Sequence, residues 1–367
     1  MKQKIIVIGG LSAGPSAAAK ARRTSETAEI ILFEKSKYIS YATCGIPYAI
    51  SGVIKSREKL MIVDPELLRD RFKIDVRLQE EVIEIDPVNH TVITTDDTYR
   101  YDKLIFATGA SPFVPPVVGL DLAENWSNVR TIENYDKILK DGVLEDKKNI
   151  LVLGAGLIGV EVAENLTKIG KNVSIIEKAS SVLSVWDNKF GYMAETVMKQ
   201  KGITIFTDST LKSVNVIEGK IVSAVLDTNE ELPVDYLLMG IGGIPNTKLL
   251  STKGAATLAN GALKVNSKME TSLPDIYAAG DCASILNIQT GEHDSFPMGT
   301  HSNKGGRTAG ANAVGGDESF NGAYKTAIVK VFDYTMARTG HNAKSLMKAG
   351  VAFSSMFFVA PATPGFY

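Results

Sequence analysis

Three short segments of this sequence combine residue types that could carry redox chemistry. Cys44 lies in the segment Ser40-Tyr41-Ala42-Thr43-Cys44-Gly45-Ile46-Pro47-Tyr48, and glycine-rich motifs occupy residues 9–14 and 154–159. A glycine turn that enters a helix offers backbone N–H groups and the positive end of the helix dipole to a pyrophosphate. The three segments therefore predict two dinucleotide sites and one reactive thiol, which could pass electrons from a nicotinamide through a flavin to sulfur.

The first glycine motif reads Gly-Gly-Leu-Ser-Ala-Gly, so Leu11 stands where the G-x-G-x-x-G pattern has its middle glycine. An apolar run at residues 5–8 precedes the motif, and a helical stretch and a second apolar strand follow it. Glu34 ends that strand, where a carboxylate hydrogen-bonds the ribose of an adenosine. This order predicts a βαβ unit that binds a dinucleotide, although Leu11 limits how closely the backbone approaches the pyrophosphate. The alternative is a glycine turn in a βαβ unit without a ligand.

The second glycine motif is a complete G-x-G-x-x-G, placed between an apolar run at residues 149–153 and a helical stretch at residues 160–170. Glu177 follows at the end of the next apolar strand. An acid at this place accepts a hydrogen bond from a free ribose 2′-hydroxyl and repels a 2′-phosphate, which favours NADH over NADPH. Lys178 beside it works against that preference, so NADPH stays open.

Cys44 precedes a sequence that resembles the first turn of a helix, and a helix amino terminus stabilises a thiolate through its dipole and free N–H groups. No second cysteine lies near it in the sequence, since the other one is Cys282. Cys44 would therefore cycle through a mixed disulfide, a persulfide or a sulfenic acid. The alternative is a buried packing cysteine. We predict a structural role for Cys282, which follows Asp281, an acid suited to a cofactor hydroxyl.

The composition restricts the classes of protein that this chain can represent. Its 44% apolar and 22% charged residues are typical of a globular protein, and a net charge of −1 argues against a nucleic-acid or anionic-membrane surface. Two cysteines do not make a disulfide framework. Since we find no signal-peptide core and no apolar run of about 18 residues, we expect a cytoplasmic protein with no membrane partner. We predict no metal site.

The order of elements predicts an α/β fold with two Rossmann-like dinucleotide-binding domains and a partial α+β carboxy-terminal domain. Buried strands that end in turns at residues 101–110, 234–240 and 275–282 complete the two units. We predict a discontinuous first domain at residues 1–115 and 255–320, a second at 116–254, and the start of a third at 321–367. In the third domain, residues 326–332 and 351–359 are predicted to be β-rich.

Together these motifs resemble the FAD-dependent pyridine nucleotide-disulfide oxidoreductases, most of all the single-cysteine branch of coenzyme A-disulfide reductases, NADH oxidases and NADH peroxidases. The matching stretches span nearly the whole chain and lie at residues 8–14, 33–35, 40–48, 107–110, 154–159, 242–247, 276–281 and 303–307. The resemblance implies that the first domain binds FAD, the second binds NAD(P)H, and the third, when complete, is a dimerisation domain that makes a homodimer.

The resemblance also implies the residues of each site. Those for FAD are Gly9, Gly10, Ser12, Ala13, Gly14, Glu34, Lys35, Val82, Ala107, Thr108, Gly109 and Asp281. Those for the nicotinamide cofactor are Gly154, Gly156, Leu157, Ile158, Gly159, Glu177 and Gly242. Cys44 would be the catalytic sulfur against the flavin, and Tyr48 would position substrate or solvent beside it. Coenzyme A would contact Ser16, Lys20, Arg23, Ser40, Thr43 and Asn303.

Some of these positions depart from the family's pattern or admit another role. Thr43 stands where the branch usually has asparagine, and Leu157 where the family often has an aromatic ring over the flavin. Lys20 and Arg23 could hold the phosphates of coenzyme A or form a solvated helix face. Phe366-Tyr367 resembles the start of the family's Tyr-Tyr-Pro segment, so we expect a chain truncated in its interface domain.

The electron acceptor is predicted to be a low-molecular-weight disulfide or persulfide, with coenzyme A disulfide favoured and coenzyme A bound at Cys44. The Pro47-Tyr48 pair is typical of coenzyme A-disulfide reductases. The oxidase and peroxidase branch usually has a histidine in the first glycine turn, whereas this chain has Ser12-Ala13 there. The alternatives are an NADH oxidase or peroxidase that uses a Cys44 sulfenic acid, and a flavin redox sensor or electron-transfer protein.

Overall fold

The structure is a computed structural model that describes residues 2–359. Short 3-10 helices lie at Thr43–Gly45, Arg57–Leu60 and Leu120–Leu122. The α-helices of this range are α1 (Ala13–Thr24), α2 (Ile46–Ile50), α3 (Pro65–Phe72), α4 (Ile132–Lys140), α5 (Leu157–Lys168), α6 (Asn188–Gln200), α7 (Lys248–Ser251), α8 (Gly299–Ala313) and α9 (Ala343–Lys348).

The strands fall into two groups along the chain. The first group is β1 (Lys4–Ile8), β2 (Glu29–Glu34), β3 (Asp75–Leu78), β4 (Val82–Asp86), β5 (Thr91–Thr94), β6 (Thr98–Arg100), β7 (Lys103–Phe106), β8 (Ala110–Pro112), β9 (Trp126–Asn128), β10 (Asn149–Leu153) and β11 (Asn172–Ile176). The second group is β12 (Thr204–Phe206), β13 (Leu211–Ile217), β14 (Lys220–Leu226), β15 (Glu231–Pro233), β16 (Tyr236–Met239), β17 (Gly243–Pro245), β18 (Ile276–Ala278), β19 (Ile285–Leu286), β20 (His293–Asp294), β21 (Ala327–Val331) and β22 (Tyr334–Arg338).

The first sheet has five strands in the order β18-β7-β1-β2-β3, all parallel. Ile5, Ile6 and Val7 of the central strand β1 are fully buried. Both faces of a parallel strand are covered, which explains why β1 is a continuous apolar run. Strand β18 joins this sheet from a distant part of the chain, and helices α1 and α8 pack against each other and against β7.

The second sheet repeats this plan with five parallel strands in the order β12-β11-β10-β16-β9. Strand β10 is central and as deeply buried as β1, and helix α5 connects it to β11. The two sheets confirm the predicted α/β fold with two Rossmann-like units. The limits of the three domains stay predictions.

Smaller antiparallel elements accompany the two parallel sheets. Strands β4, β5 and β6 form one three-stranded sheet, and β13, β14 and β15 form another. Strands β8 and β17 pair in antiparallel fashion, with Ser111 opposite Ile244. The two segments that connect the units therefore run side by side.

The carboxy-terminal part of the described chain is a hairpin, β21–β22, followed by α9. The prediction of a β-rich segment at residues 351–359 is wrong, because these residues form no strand and are exposed. Apolar, β-prone residues become a strand only when an edge is available to pair with them, and within residues 2–359 none pairs with this segment. The prediction at Phe366-Tyr367 lies outside the described residues.

Among residues 2–359, no helix combines the length and the apolar character needed to cross a membrane.

Candidate active site

The first glycine motif forms the turn between β1 and α1. Gly9 has a φ of +105°, and a Cβ added there would lie 2.2 Å from the carbonyl oxygen of Ala107. A Cβ on Gly14 would lie 1.8 Å from the carbonyl oxygen of Gly9. Both glycines are therefore required by backbone contacts inside the unit itself. Ser12 and Ala13 begin helix α1, whose amino terminus opens on this turn.

The second glycine motif repeats the positive φ of the first glycine and the close contact of the last glycine. Gly154 has a φ of +97°, and a Cβ on Gly159 would lie 1.9 Å from the carbonyl oxygen of Gly154. By contrast, a Cβ on Gly156 would meet no heavy atom within 4 Å. The loop that carries Gly242 runs beside this motif, since a Cβ on Gly154 would lie 2.7 Å from the Ile241 side chain. The open space at Gly156 fits a motif whose bare backbone is approached by a dinucleotide.

Glu34 is fixed at the end of β2 by two backbone donors. Its carboxylate accepts hydrogen bonds from the N–H groups of Gly10 at 2.6 Å and Ser36 at 2.8 Å. Burial raises the pKa of Glu34 above its ordinary value, although these two N–H groups work in the opposite direction. Each carboxylate oxygen keeps a lone pair that can accept from a ribose hydroxyl. Lys35 beside it is exposed, and Val82 is buried at the start of β4.

Glu177 repeats this arrangement directly after β11. Its carboxylate accepts hydrogen bonds from the N–H groups of Ala155 at 2.7 Å and Ala179 at 2.8 Å. Leu157 and Ile158 form the first turn of helix α5 next to it. The structure thus brings an acid to each glycine motif, with the same pair of backbone contacts.

The turn after β7, residues 107–109, faces the first glycine motif through the Ala107 carbonyl. The Thr108 hydroxyl donates to the carbonyl oxygen of Asn246 at 2.6 Å, and Gly109 has a φ of +65°. Asp281 comes shortly after β18, the strand that pairs with β7, and its carboxylate accepts a hydrogen bond from Arg130 Nη2 at 2.7 Å. Arg130 is a residue that the sequence analysis did not identify, because nothing near it in the sequence indicates a contact with Asp281.

Cys44 is exposed and lies in the 3-10 turn Thr43–Gly45, which leads into the short helix α2. The Thr43 hydroxyl is 4.0 Å from the Cys44 sulfur. The N–H of buried Ser40 donates to the Gly10 carbonyl at 2.8 Å, which ties this segment to the first glycine motif. Exposure contradicts the alternative of a buried packing cysteine for Cys44.

Cys282 has the opposite environment. It is completely buried, and its thiol donates to the carbonyl oxygens of Ala279 at 3.3 Å and Phe106 at 3.5 Å. Burial raises the pKa of Cys282 to about 11. This cysteine is inert at neutral pH, so Cys44 is the thiol available for chemistry.

Tyr48 extends from α2 towards the first turns of α5. Its hydroxyl donates a hydrogen bond to Glu161 Oε1 at 3.1 Å. Burial raises the pKa of Tyr48 well above its ordinary value, and the negative charge of Glu161 raises it further. Glu161 is not among the residues predicted from the sequence, although a carboxylate two residues after Gly159, in an otherwise apolar helix start, is a visible signal.

The predicted coenzyme A residues lie on two adjacent helices and in the Cys44 segment. Ser16 and Lys20 are on α1, and Asn303 is exposed on α8. Lys20 forms an ion pair with Glu318 at 2.6 Å, a partner that the sequence did not indicate. A cavity of about 280 Å³ lies there, lined by Lys20, Lys304, Arg307, Thr308, Glu318, Ser319 and Phe320.

Of the predicted coenzyme A residues, Lys20 lines this cavity and Arg23 does not. Its guanidinium carbon is 5.3 Å from the centre of the Phe72 ring, on helix α3. Stacking on an aromatic ring is a common position for an exposed arginine. The solvated-face alternative therefore describes Arg23 in this structure.

The fold and the site define a class of protein with two dinucleotide-binding βαβ units and a single exposed cysteine between them. The chain belongs to the pyridine nucleotide-disulphide oxidoreductase family, whose sequence model matches residues 3–303. The family implies FAD and a pyridine nucleotide as cofactors, and the glycine turns, open helix ends and fixed carboxylates described above fit two such dinucleotides.

Named relatives show the range of this family. The chain is 34% identical over 348 residues to an NADH oxidase of Methanocaldococcus jannaschii. This alignment covers 93% of this chain and 77% of the relative. The chain is 32% identical over 376 residues to an NAD(P)H coenzyme A polysulfide/persulfide reductase of Pyrococcus horikoshii, with coverage of 100% and 82%.

Among solved structures, an NAD-dependent persulfide reductase from A. fulgidus has a TM-score of 0.91 and 33% identity to this chain. The match covers 95% of this chain and 66% of the solved one, so this chain spans slightly less than two thirds of that protein.

Proposed function

We propose that this protein is an NAD(P)H-dependent flavoprotein that reduces a low-molecular-weight disulfide or persulfide at Cys44, with coenzyme A disulfide or persulfide favoured. The observation that carries the proposal is the exposed Cys44 thiol, which lies in a segment hydrogen-bonded to the first glycine motif. The second cysteine is buried and cannot serve in its place. A relative of similar sequence that is named a coenzyme A polysulfide/persulfide reductase supports the choice of acceptor.

FAD would be held by the first unit and NAD(P)H by the second, through the residues predicted from the sequence. The Gly9 to Gly14 turn would contact the FAD pyrophosphate, and the Glu34 carboxylate would accept from its ribose. When FAD is bound, it supplies the two-electron chemistry that joins oxidation of NAD(P)H to reduction of a sulfur–sulfur bond. Glu177 would accept from a ribose 2′-hydroxyl, which favours NADH.

Cys44 would do the covalent chemistry. Its thiolate attacks one sulfur of the substrate, the sulfur–sulfur bond breaks, and the other half leaves as a thiolate. Two electrons that originate in NAD(P)H then cleave the Cys44 mixed disulfide, which releases the second thiol and restores the Cys44 thiolate. Coenzyme A would contact Ser16, Lys20, Ser40, Thr43 and Asn303 during this cycle.

Lys20 and its neighbours would recognise the phosphates of coenzyme A. Lys304 and Arg307 line the same cavity as Lys20, so three cationic side chains surround it. Glu318 neutralises Lys20 in this structure, and a bound phosphate would compete with it. Arg23 stacks on Phe72 and would have to leave that ring to take part.

An NADH oxidase that uses a Cys44 sulfenic acid is the second candidate. One observation favours it, because the Methanocaldococcus jannaschii relative carries that name. Against it, the first glycine turn has Ser12 and Ala13 where histidine is usual in oxidases. This candidate would be supported if the protein consumed oxygen in the presence of NADH without any added disulfide.

The test is anaerobic oxidation of NADH by the FAD-loaded protein with coenzyme A disulfide, compared between wild type, Cys44→Ser and Cys282→Ser. We expect turnover by wild type and Cys282→Ser, and a loss of at least about 1,000-fold in Cys44→Ser, since the nucleophile is absent. Turnover that survives in Cys44→Ser would refute the proposed chemistry. Reduction of the flavin by NADH without turnover of the disulfide would refute the proposed substrate.

We also propose that the protein acts as a homodimer in the reducing cytoplasm. The apolar side chains of residues 351–359 are exposed, including Met356 and Phe358 at 84% and 75%. Exposed apolar clusters of this kind are typical of association surfaces. Sedimentation analysis should give twice the mass of the chain, and a purely monomeric species at micromolar concentration would refute the dimer.

A further inference from the structure

We propose that Glu318 is a specificity-determining residue whose carboxylate takes the place of a substrate phosphate on Lys20 until a phosphorylated acceptor displaces it. The inference rests on the proposed function, because it concerns the phosphate-bearing part of a coenzyme A disulfide. Glu318 would lower the affinity of the cavity beside Lys20 for phosphate ligands, and so set how strongly phosphorylated disulfides are preferred over phosphate-free ones.

The cavity beside helices α1 and α8 collects positive charge from both helices. Lys20 comes from α1, and Lys304 and Arg307, three residues apart on α8, line the same cavity. The backbones of the two helices are in near contact, since a Cβ on Gly310 would lie 2.1 Å from the Ala17 carbonyl oxygen. Three cationic side chains around a cavity of about 280 Å³ suit a phosphate group, whose oxygens accept hydrogen bonds from ammonium and guanidinium donors.

One of these three cations is already paired with an acid. Lys20 Nζ lies 2.6 Å from Glu318 Oε1, whereas Lys304 and Arg307 form no ion pair within residues 2–359. The side chains of the pair are partly exposed, 27% for Lys20 and 45% for Glu318. An ion pair in contact with water contributes little net stability. A ligand that offers negative charge to all three cations can therefore displace the carboxylate.

The backbone of Glu318 is fixed independently of this ion pair. Asn312, near the end of α8, is buried, and its amide group holds both backbone groups of Glu318. The Glu318 N–H donates to Asn312 Oδ1, and the Glu318 carbonyl oxygen accepts from Asn312 Nδ2, each at 2.8 Å. The loop thus presents the carboxylate to the cavity, and rotation of the Glu318 side chain alone is enough to release Lys20.

Binding of a phosphate exchanges one anion for another on Lys20, and no covalent bond changes. The phosphate accepts hydrogen bonds from Lys20, and the Glu318 carboxylate turns into the solvent that it already contacts. The exchange lowers affinity, because the carboxylate also repels a phosphate that approaches Lys304 and Arg307. A disulfide without phosphate leaves the ion pair intact, so its affinity does not depend on the charge of Glu318.

The first test measures binding of adenosine 3′,5′-bisphosphate to the FAD-loaded protein by calorimetry. Glu318→Gln should bind this probe about fivefold more tightly than wild type, the effect of removing one like charge close to a phosphate in water. Asp317→Asn is the matched control, because this neighbouring acid pairs with Lys268 at 2.6 Å and does not line the cavity. Its affinity should stay within about twofold of wild type, since solvent and salt screen a distant charge.

Steady-state kinetics separate the phosphates from the rest of the substrate. Glu318→Gln should lower KM for coenzyme A disulfide about fivefold, and should leave KM for pantethine, the phosphate-free disulfide of the same thiol arm, within about twofold. The disulfide of 3′-dephospho-coenzyme A identifies the phosphate that displaces Glu318. An unchanged KM for it assigns Lys20 to the 3′-phosphate, and a lowered KM assigns Lys20 to the pyrophosphate.

A third variant tests whether the phosphate contacts Lys20. Lys20→Gln should weaken binding of adenosine 3′,5′-bisphosphate at least about fivefold, because one of the three cations is lost. Unchanged affinity in Lys20→Gln would mean that the phosphate does not compete with Glu318 for this side chain, and would overturn the inference.

Unchanged affinity for the bisphosphate in Glu318→Gln would also overturn it, as would an equal gain in Asp317→Asn or an equal fall of KM for pantethine. If Glu318→Gln does not fold, Glu318→Ala decides the question, because only the backbone of Glu318 holds the loop to Asn312. The calorimetric result does not depend on turnover. The proposed function fails separately, if coenzyme A disulfide is not reduced or if Cys44→Ser stays active.

Discussion

The two glycine-motif units of this protein each have five parallel strands and a carboxylate clamp, in which two backbone N–H groups hold Glu34 or Glu177, but they differ at the middle position of the motif. Leu11 stands in the first unit where Gly156 stands in the second. A Cβ on Gly9, Gly14 or Gly159 would lie 1.8 to 2.2 Å from a backbone carbonyl oxygen, whereas a Cβ on Gly156 would meet nothing within 4 Å. The outer glycines are thus required by the protein's own packing. The middle glycine is free to serve a ligand.

The helices that follow the two motifs differ in what their side chains contact. Helix α1 packs its backbone against α8, where a Cβ on Gly306 would lie 2.3 Å from the Ala13 carbonyl oxygen. Helix α5 instead faces α2, the helix after the Cys44 turn, through Glu161 and Asn165. The same fold therefore gives the two helices different surroundings. The glycine motif determines the turn before each helix, whereas the side chains on the helix surface determine which elements pack against it.

The largest effect is expected from an outer glycine. Gly14→Ala or Gly159→Ala would place a methyl group within 2 Å of a carbonyl oxygen and should destabilise its unit by about 3 kcal/mol. Urea unfolding of each variant gives the change in the free energy of unfolding. Gly156→Ala is the control and should stay within about 1 kcal/mol of wild type, because its Cβ has room. If Gly159→Ala were as stable as wild type, the claim that only the outer glycines are needed for stability would be wrong.

Exchanging the middle residues sharpens the same comparison. Gly156→Leu should weaken NADH binding at least about tenfold, since its side chain would fill the space needed for the pyrophosphate. The dependence of flavin reduction rate on NADH concentration measures this. Leu11→Gly should change retention of FAD by less than about threefold, because Leu11 has no positive φ to relieve and the proposed FAD site already includes its side chain. A large gain of FAD affinity in Leu11→Gly would mean that Leu11 does obstruct the site.

Glu177 offers a test of the carboxylate clamp in the second unit. Glu177→Gln should lower the preference for NADH over NADPH by about tenfold, because the amide no longer repels a 2′-phosphate and accepts more weakly from the 2′-hydroxyl. The ratio of kcat/KM for the two cofactors is the measurement. Glu34→Gln, the equivalent change in the first unit, should leave that ratio unaltered; if both variants shift it, the assignment of the two units is wrong.

The smallest effect concerns the pH dependence of Glu34. Burial raises its pKa in the folded chain, so folding favours the protonated form. The stability that this group contributes is full below its ordinary pKa and is lost as the pH rises through the higher folded-state value. Relative to wild type, Glu34→Gln should therefore become more stable as the pH rises across this window. Urea unfolding of FAD-free protein at several pH values should show it, whereas a constant difference would contradict the raised pKa.

Much of the fold could be predicted because its signals are local. Residues 5–8 and 149–153 are apolar runs because central parallel strands are covered on both faces, and each glycine turn follows from its own motif. The β-rich prediction at residues 351–359 failed for the opposite reason. A strand requires a partner edge, and the residues that would supply one are not specified by the segment itself.

The site was predicted less completely than the fold. Cys44 and the two acids could be singled out from residue type and spacing, and Tyr48 from the family resemblance. Three contacts could not be predicted, because each joins elements far apart in the chain. They are Arg130 with Asp281, Glu161 with Tyr48, and Glu318 with Lys20. The same limit applies to Arg23, which was predicted to bind coenzyme A together with Lys20. In the structure its guanidinium stacks on the Phe72 ring.

Local sequence is sufficient to predict the two βαβ units, the acid that ends each one, and the presence of a single cysteine in the Ser40–Tyr48 segment. These features depend on glycine conformations, apolar periodicity and short spacings, which are properties of neighbouring residues. The folded structure is needed to see that Cys44 is exposed while Cys282 is buried, and that the Tyr48 hydroxyl bonds Glu161. Exposure and contacts between side chains depend on which distant elements pack together, and that is a property of the folded chain.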